Sequence, residues 1–277
     1  MNDIKFGIST ASFFGLKFNE DCFDFYKTHN IHVAEVFLST LSEYQPDFVK
    51  LINERKGDLK VHSMHSNGIQ YEAELFSGHP RIKADAESML RTVCTAAQNL
   101  GAKFITFHGP LKLKHQPYVH DYKKLSVTIN EICDILAEYD LNLSYENIHY
   151  GFFNDTNYYE KLITLCPKLY VTIDVKHAVQ GGKDPIDFLR VCQDRISTIH
   201  LCDVGHDNKP CLPFDGTINF DGIFNHLVKN NIQAPLLLEL YSNTYKNGIN
   251  DILDSYNKLS AKLKNTKGNV ISFKNSK

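Results

Sequence analysis

The sequence predicts an α/β protein folded as a single-domain, closed (β/α)₈ barrel, and three observations support this prediction. Eight short runs of β-branched and aromatic residues alternate along the chain with segments of helical periodicity, which is typical of a parallel sheet. The chain has 277 residues, and single α/β barrels commonly run to about 250 residues. No stretch rich in Pro, Gly or Ser divides the sequence into two domains.

Each of the eight runs is short enough to be a buried parallel strand. They cover residues 6–10, 33–38, 59–65, 102–109, 141–148, 169–178, 196–204 and 234–241. The main alternative to a closed barrel is an open, doubly wound sheet. No GxGxxG motif follows the first run, so a dinucleotide-binding version of that sheet is not supported.

Helices are predicted between these runs, where apolar residues recur at three- and four-residue spacing. The two clearest cover residues 84–100, with Gly101 as the expected C-cap, and 122–140. Shorter helices are predicted over 20–28, 47–54, 157–165, 185–192, 220–229 and 249–263. Asp184 before Pro185 is typical of a helix N-terminus. The barrel is expected to span residues 1–265, followed by a polar C-terminal tail over 266–277.

Composition and charge exclude several classes of protein. The net charge of −2 and the pI near 6.7 give no broad basic surface, so nucleic acid is an unlikely partner and no membrane binding is expected. The N-terminus lacks the features of a signal peptide and no apolar run is long enough to span a bilayer, so a cytoplasmic location is expected. Seven dispersed cysteines without a CxxC pair predict reduced thiols packed in the core.

Ionisable residues interrupt the apolar runs near six of the predicted strand ends, where barrel enzymes carry their active sites. They are His62, His65, His108, Glu146, Asp174, His177, His200, Asp203 and Glu239. Closure of the barrel brings these strand ends to one mouth. Buried carboxylates alone would repel one another, but mixed carboxylates and imidazoles are ligands for Zn²⁺, Mn²⁺ or a similar divalent ion.

Some of these residues have simpler interpretations. His62 is expected to face inward or to support the site, because His65 lies nearer the strand end. Asp203 is expected to cap the following loop or to orient a neighbour. Histidines in loops, His149 among them, are expected to be solvated. Four loop aromatics can either wall a substrate pocket or serve packing; they are Phe13, Phe14, Phe152 and Phe153.

Four pieces of the sequence carry a resemblance to a known family: ITFHGP, SYENIHYG, VTIDVKHAVQGG and IHLCD. They resemble the xylose isomerase-like TIM barrel superfamily. That superfamily contains sugar and sugar phosphate isomerases and epimerases, and also the endonuclease IV branch of DNA repair. The resemblance extends from the first predicted strand to the eighth and implies a TIM barrel.

The resemblance also implies metal ligands, which follow the three sites of the endonuclease IV branch. The central site is matched by Glu146, Asp174, His200 and Glu239. A possible second site is matched by His65, His108 and Glu146. The third site needs His177 and an Asp-x-His motif after the seventh strand, and that motif is missing. The loop there contains PFDGTINF around Asp215, which looks like a loop of the isomerases and epimerases.

By this resemblance the protein is expected to be a metal-dependent sugar or sugar phosphate isomerase or epimerase that works through a metal-stabilised enediolate. One divalent ion, Zn²⁺, Mn²⁺, Mg²⁺ or Co²⁺, would occupy the central site, with Glu146 and Glu239 as the acid/base pair. The expected substrate contacts are His177, His108, His65 and Asp215. The resemblance implies a small sugar substrate, phosphorylated or free, and a homo-oligomer is the other partner considered.

Two alternatives stay open. The first is an endonuclease IV-like phosphodiesterase that acts at apurinic DNA sites with two or three metal ions. It would keep His65 and His108 as ligands and would need a substitute for the missing motif, such as Asp207 or Asp215. The second is a binding or regulatory protein that has kept the barrel without activity. The intact set of four central ligands argues against the second.

Overall fold

A computed structural model describes residues 4–66, 69–112 and 119–275, and it has the predicted closed barrel of eight parallel strands. The barrel strands are β1 (Phe6–Ser9), β2 (Val33–Leu38), β3 (Lys60–Ser66), β4 (Phe104–Phe107), β5 (Asn142–Glu146), β6 (Tyr170–Asp174), β7 (Ile196–Leu201) and β8 (Leu236–Leu238). Each pairs with its sequence neighbours, and β1 pairs with β8 to close the barrel. All eight correspond to predicted runs.

Helices follow the strands and cover the barrel. They are α1 (Asn19–Thr28), α2 (Pro46–Lys56), α3 (Ile69–Glu74), α4 (Pro80–Leu100), α5 (Tyr122–Ala137), α6 (Thr156–Ile163), α7 (Val175–Gln180), α8 (Pro185–Cys192), α9 (Phe220–Lys229) and α10 (Ile249–Asn275). Short 3₁₀ helices cover Thr10–Phe13, Leu41–Tyr44, Gln193–Arg195 and Ser242–Thr244.

Helix α4 illustrates how the sequence specifies this outer layer. Its apolar residues Leu90, Val93 and Ala97 recur at helical spacing and are buried against the barrel. The helix ends at Gly101, whose φ of 77° is the left-handed conformation that favours glycine. At the start of α8, the side chain of Asp184 accepts a hydrogen bond from the N–H of Ile186, as its position before a proline predicts.

Several predicted strands are longer than the observed ones, and in two of them the extra residues belong to another element. The run 169–178 remains a strand only to Asp174, whose side chain accepts a hydrogen bond from the N–H of His177 and caps helix α7. The run 196–204 leaves the barrel at Leu201, and Asp203–Val204 pairs antiparallel with Pro210–Cys211. An aspartate N-cap and a local strand pair override the β propensity of these residues.

The last helix also differs in length from the prediction. The sequence predicts it over 249–263, whereas α10 continues to Asn275, beyond the predicted barrel boundary at residue 265. Most of the segment predicted to be a polar tail is therefore helical. No helix in the described ranges has the length and apolar character needed to cross a bilayer. The seven cysteines are unpaired, and all except the half-buried Cys211 are buried, as predicted.

Candidate metal centre and cavity

Four ionisable side chains converge at the carboxyl-terminal mouth of the barrel. Glu146 and Asp174 are the last residues of β5 and β6, His200 is the penultimate residue of β7, and Glu239 directly follows β8. The register pairs Asp174 with His200 on neighbouring strands. One ligand atom from each of the four lies within 4.8 Å of those from the other three, and we call these residues the central group.

His200 lies at the middle of the central group and is fully buried. Its Nδ1 is 2.9 Å from Glu146 Oε1 and 3.6 Å from Glu239 Oε2. Its Nε2 is 3.1 Å from Oε1 of Glu35, a residue of β2. One imidazole therefore touches three carboxylates. Burial alone would lower the pKa of His200, but the carboxylates of Glu35, Glu239 and Glu146 raise it well above its ordinary value.

Glu35 is a residue of the site that the sequence did not predict. Its buried carboxylate accepts hydrogen bonds from Ser9 Oγ at 3.2 Å, Ser63 Oγ at 2.8 Å and Thr106 Oγ1 at 2.7 Å. Hydroxyls on three strands thus hold Glu35 against His200, and this support fixes the imidazole orientation. Burial would raise the pKa of Glu35, but His200 lowers it to about 2. The available signal was a single glutamate inside the apolar run VAEVFL.

A second group lies beside the first and shares Glu146 with it. His65 Nε2 is 3.4 Å from Glu146 Oε2, and His108 Nε2 is 3.2 Å from the same oxygen. Ligand atoms of these three residues lie within 4.8 Å of one another, so the structure brings together the predicted second set as well. Burial lowers the pKa of His65, but the bond to Glu146 and the charges of Glu35, Glu146 and Glu239 together raise the pKa to about 9.

The central group fits a divalent cation on the chemistry of its donor atoms. Glu146 Oε2 and Asp174 Oδ2 are buried oxygens that accept no well-aligned hydrogen bond from the residues described. Burial raises the pKa of Asp174 to about 6, although Lys176 opposes this shift. Three buried carboxylates and one imidazole are a suitable ligand set for Zn²⁺, Mn²⁺ or a similar ion. A bound cation would satisfy both oxygens and offset their mutual repulsion.

A cavity of about 420 Å³ opens above the two groups. Glu146 and Glu239 line its floor together with His65, His108 and His177. Its walls include the aromatic residues Phe14, Phe37, Tyr150 and Tyr241. Of the four aromatics considered from the sequence, Phe14 lines this cavity, Phe13 and Phe153 are in the core, and Phe152 borders another cavity. The volume is that of a small-molecule site.

His177 borders the cavity and lies outside both ligand groups. Its Nδ1 is 2.8 Å from Nδ1 of His149, a loop histidine that was expected to be solvated and instead packs against it. Burial and the nearby Lys176 ammonium lower the pKa of His177 well below its ordinary value. A neutral imidazole in this place can accept or donate one hydrogen bond to a bound molecule.

Lys176 is the second residue that sequence analysis missed. It follows Asp174 in the first turn of α7 and is completely buried, with Nζ 3.1 Å from Asp174 Oδ2. The predicted strand over 169–178 gave no reason to expect a contact between Lys176 and Asp174. In a strand, residues 174 and 176 would lie on the same face, but the extended chain would not turn back and bring the lysine to the carboxylate. The signal was a lysine within two positions of a strand-end aspartate.

Three other residues of the predicted strand ends or loops lie away from the central group. His62 is at the opposite end of the barrel, where its Nε2 is 3.0 Å from the carbonyl of Ser197. Asp203 holds the following loop by accepting from the N–H groups of Phe214, Gly216 and Ile218, which matches its expected capping role. Asp215 is exposed on that loop and does not border the described cavity, so its position gives no support to substrate contact.

The chain is similar to one protein family and to several curated proteins. Residues 19–261 match the family described as Xylose isomerase-like TIM barrel. A curated relative, an inosose dehydratase of Clostridium tetani (strain Massachusetts / E88), is 29% identical over 140 residues, which are 43% of this chain and 47% of the relative. The chain spans about half the length of the inosose dehydratases that it matches first.

Solved structures agree in fold. The structure of L-ribulose 3-epimerase superposes with a TM-score of 0.78 at 13% identity, over 98% of each chain. The crystal structure of the IOLI protein with a zinc atom gives a TM-score of 0.77 at 15% identity, over 94% of this chain and 97% of that one. At these identities the likeness concerns the fold alone.

Proposed function

Because the chain belongs to the xylose isomerase-like TIM barrel family, we propose that it is a metal-dependent sugar isomerase or epimerase that moves a proton at the carbon next to a substrate carbonyl. One observation carries the proposal. Glu146 and Glu239 border the same cavity, and their carboxylates approach the same nitrogen of His200, at 2.9 Å and 3.6 Å. Two carboxylates so arranged can remove and return a proton on one small molecule.

The central group would hold the divalent ion through Glu146, Asp174, His200 and Glu239. Such an ion, when bound, supplies a Lewis acid that polarises a carbonyl oxygen and makes the neighbouring C–H group more acidic. The zinc atom in the IOLI structure supports a divalent ion in this fold. Zn²⁺, Mn²⁺, Mg²⁺ and Co²⁺ are all compatible with these donors.

The residues of the chain have distinct tasks in this proposal. Burial would raise the pKa of Glu146, but the histidines around it lower the pKa well below its ordinary value, so Glu146 is ionised at neutral pH. The proposal assigns it proton removal because an ionised carboxylate has a free oxygen to accept the proton. Glu239, across the central group, donates a different proton to the same carbon, and the proton taken by Glu146 passes to solvent. His177 orients the substrate by a hydrogen bond to one of its oxygens, and the aromatic walls exclude water from the cavity.

Proton exchange tests this proposal. The Mn²⁺-loaded protein is incubated in D₂O with L-ribulose, D-fructose and inosose, and loss of the proton next to the carbonyl is followed by NMR. We expect exchange with at least one compound, and we expect Glu146→Gln and Glu239→Gln to abolish it while far-UV circular dichroism is unchanged. Glu138→Gln, at an exposed glutamate paired with Arg91, is the matched control and should exchange normally. Exchange that persists in both cavity variants would exclude the acid/base pair.

The same experiment separates two outcomes that share the proton-removal step. An epimer or aldose isomer among the products supports the proposal as stated. The match to inosose dehydratases favours a second candidate, in which loss of a neighbouring hydroxyl as water follows proton removal. An unsaturated product with one water less would identify this dehydratase activity.

The group formed by His65, His108 and Glu146 favours one further candidate, the metal-dependent phosphodiesterase acting at apurinic DNA sites. Metal content per chain and cleavage of an apurinic oligonucleotide test it. We expect one ion per chain and no cleavage. Two or three ions, with cleavage lost in His65→Ala and His108→Ala, would replace the isomerase proposal by the hydrolase.

A further inference from the structure

Lys176 and Tyr241 form a buried pair at the edge of the central group. Lys176 Nζ is 2.5 Å from the phenol oxygen of Tyr241, 3.1 Å from Asp174 Oδ2 and 3.9 Å from Glu239 Oε2. The side chain of Lys176 is 0% exposed, and an unpaired ammonium in such a place would be strongly unfavourable. The three oxygens therefore fix the position of Nζ.

The direction of the hydrogen bond between them follows from their chemistry. An ammonium group has no acceptor, so Nζ donates and the phenol oxygen accepts. The phenol keeps its own O–H as a donor, and within residues 4–66, 69–112 and 119–275 no acceptor is recorded for it. Tyr241 is 38% exposed and borders the cavity, so the role proposed for it rests on this position together with the unused O–H donor.

We propose that Tyr241 is a substrate-binding residue whose hydroxyl donates a hydrogen bond to an oxygen of a polyhydroxylated carbonyl compound, and that Lys176 is a positioning residue that holds this hydroxyl beside the central group. The inference rests on the proposed function for the class of the substrate. The same ammonium touches Tyr241 and Glu239, so the two side chains act on adjoining parts of one sugar-sized molecule.

Binding measurements test the role of Tyr241. The Mn²⁺-loaded protein is titrated calorimetrically with L-ribulose, D-fructose and inosose, and Mn²⁺ alone is titrated into the metal-free protein. Tyr241→Phe is expected to weaken binding of the compound that the wild type binds by about tenfold, the effect of one lost hydrogen bond. Its affinity for Mn²⁺ should stay within about threefold, since no ligand oxygen is removed. Tyr256→Phe, whose ring packs on Phe6 outside the cavity, is the control and should change neither affinity.

A double-mutant cycle tests the role of Lys176. Lys176→Met should weaken sugar binding about as much as Tyr241→Phe. The double variant should bind no more weakly than either single variant, because both substitutions remove the same hydrogen bond from Tyr241 to the sugar. Lys176→Arg, which keeps a buried donor, should recover part of the loss. Losses that add in the double variant would overturn the positioning role. If Lys176→Met does not fold, Lys176→Arg completes the cycle in its place.

Other outcomes are equally decisive. Wild-type affinity in Tyr241→Phe would overturn the proposal, as would a wild type that binds none of the three compounds. A wild type that binds a sugar without exchanging its proton would refute the proposed chemistry, while the affinities of the variants would still decide the role of Tyr241.

Discussion

Replacing Glu35 by glutamine tests whether the stability of the barrel depends on the buried ion pair between Glu35 and His200, a residue of the central group. Glu35 and His200 are both fully buried, and the pair is 3.1 Å apart. Glutamine keeps the size of the side chain and removes its charge. The imidazolium of His200 then loses one of its three carboxylate neighbours, and the hydroxyls of Ser63 and Thr106 lose a charged acceptor.

The expected loss of stability follows from these contacts. Unit charges 3.1 Å apart attract by about 5 kcal/mol at an effective dielectric constant of about 20. Removing one member of a buried ion pair costs about 3–5 kcal/mol in measured cases. We therefore expect Glu35→Gln to lower the free energy of unfolding of the metal-free protein by about 3–5 kcal/mol.

Urea denaturation of the EDTA-treated protein, followed by circular dichroism, measures this loss. The folded pKa of Glu35 is about 2, below its ordinary 4.5, so its contribution is present above pH 4.5 and is lost as pH falls towards 2. The folded pKa of His200 is raised, so its contribution is complete below its ordinary 6.5 and is lost as pH rises through the folded pKa. The difference between wild type and variant should therefore be largest between pH 4.5 and 6.5.

Glu43→Gln provides a comparison. Glu43 accepts hydrogen bonds from the backbone N–H groups of Ser39 and Thr40 and has no imidazole partner among the described residues. Its replacement should cost about 1 kcal/mol, with no maximum in that pH window. A loss below about 1 kcal/mol for Glu35→Gln, the value of an exposed ion pair, would refute the reasoning.

Three further predictions concern the central group. Mn²⁺ at a hundred times its Kd should raise the melting temperature by about 5 °C in differential scanning fluorimetry, and Asp174→Asn should remove most of this shift. The affinity for Mn²⁺ should fall as pH drops through about 6, because a proton on Asp174 competes with the ion; calorimetry that finds equal affinities at pH 5.5 and 7.5 would contradict this. His62→Ala should leave the affinity for Mn²⁺ unchanged, since His62 lies at the other end of the barrel, and a tenfold loss would contradict its position.

The fold was predictable because its signals are local. Each barrel strand is a short apolar run, and each helix carries its own periodicity, so their alternation indicates a parallel sheet. Eight such units in 277 residues then favour a closed barrel. The central group was predictable for a related reason, since a charged residue such as Glu146 or Asp174 at the end of an apolar run has few satisfactory environments other than a shared site. The four motifs that resemble the xylose isomerase-like family then gave these residues their expected roles.

Glu35 and Lys176 could not be assigned from the sequence, because their partners are set by tertiary structure. Glu35 meets His200 only when the barrel closes, and the two are far apart in the chain. Lys176 meets Asp174 only because the strand stops there and a helix begins, and periodicity does not locate such a boundary to within one residue. The residues that the sequence did not predict are thus those whose contacts depend on closure of the barrel and on the residue at which a helix begins.

The N-cap of helix α7 restricts how Asp174 can coordinate a cation. Its Oδ1 accepts a hydrogen bond from the N–H of His177, whereas Oδ2 accepts no well-aligned hydrogen bond and has the Lys176 ammonium 3.1 Å away. Asp174 would therefore offer a bound cation mainly this one oxygen. Cations that favour high coordination numbers and bidentate carboxylates, such as Ca²⁺, are poorly served by this arrangement. An ion that accepts fewer protein ligands would suit this arrangement better, and it could also bind water or substrate oxygens.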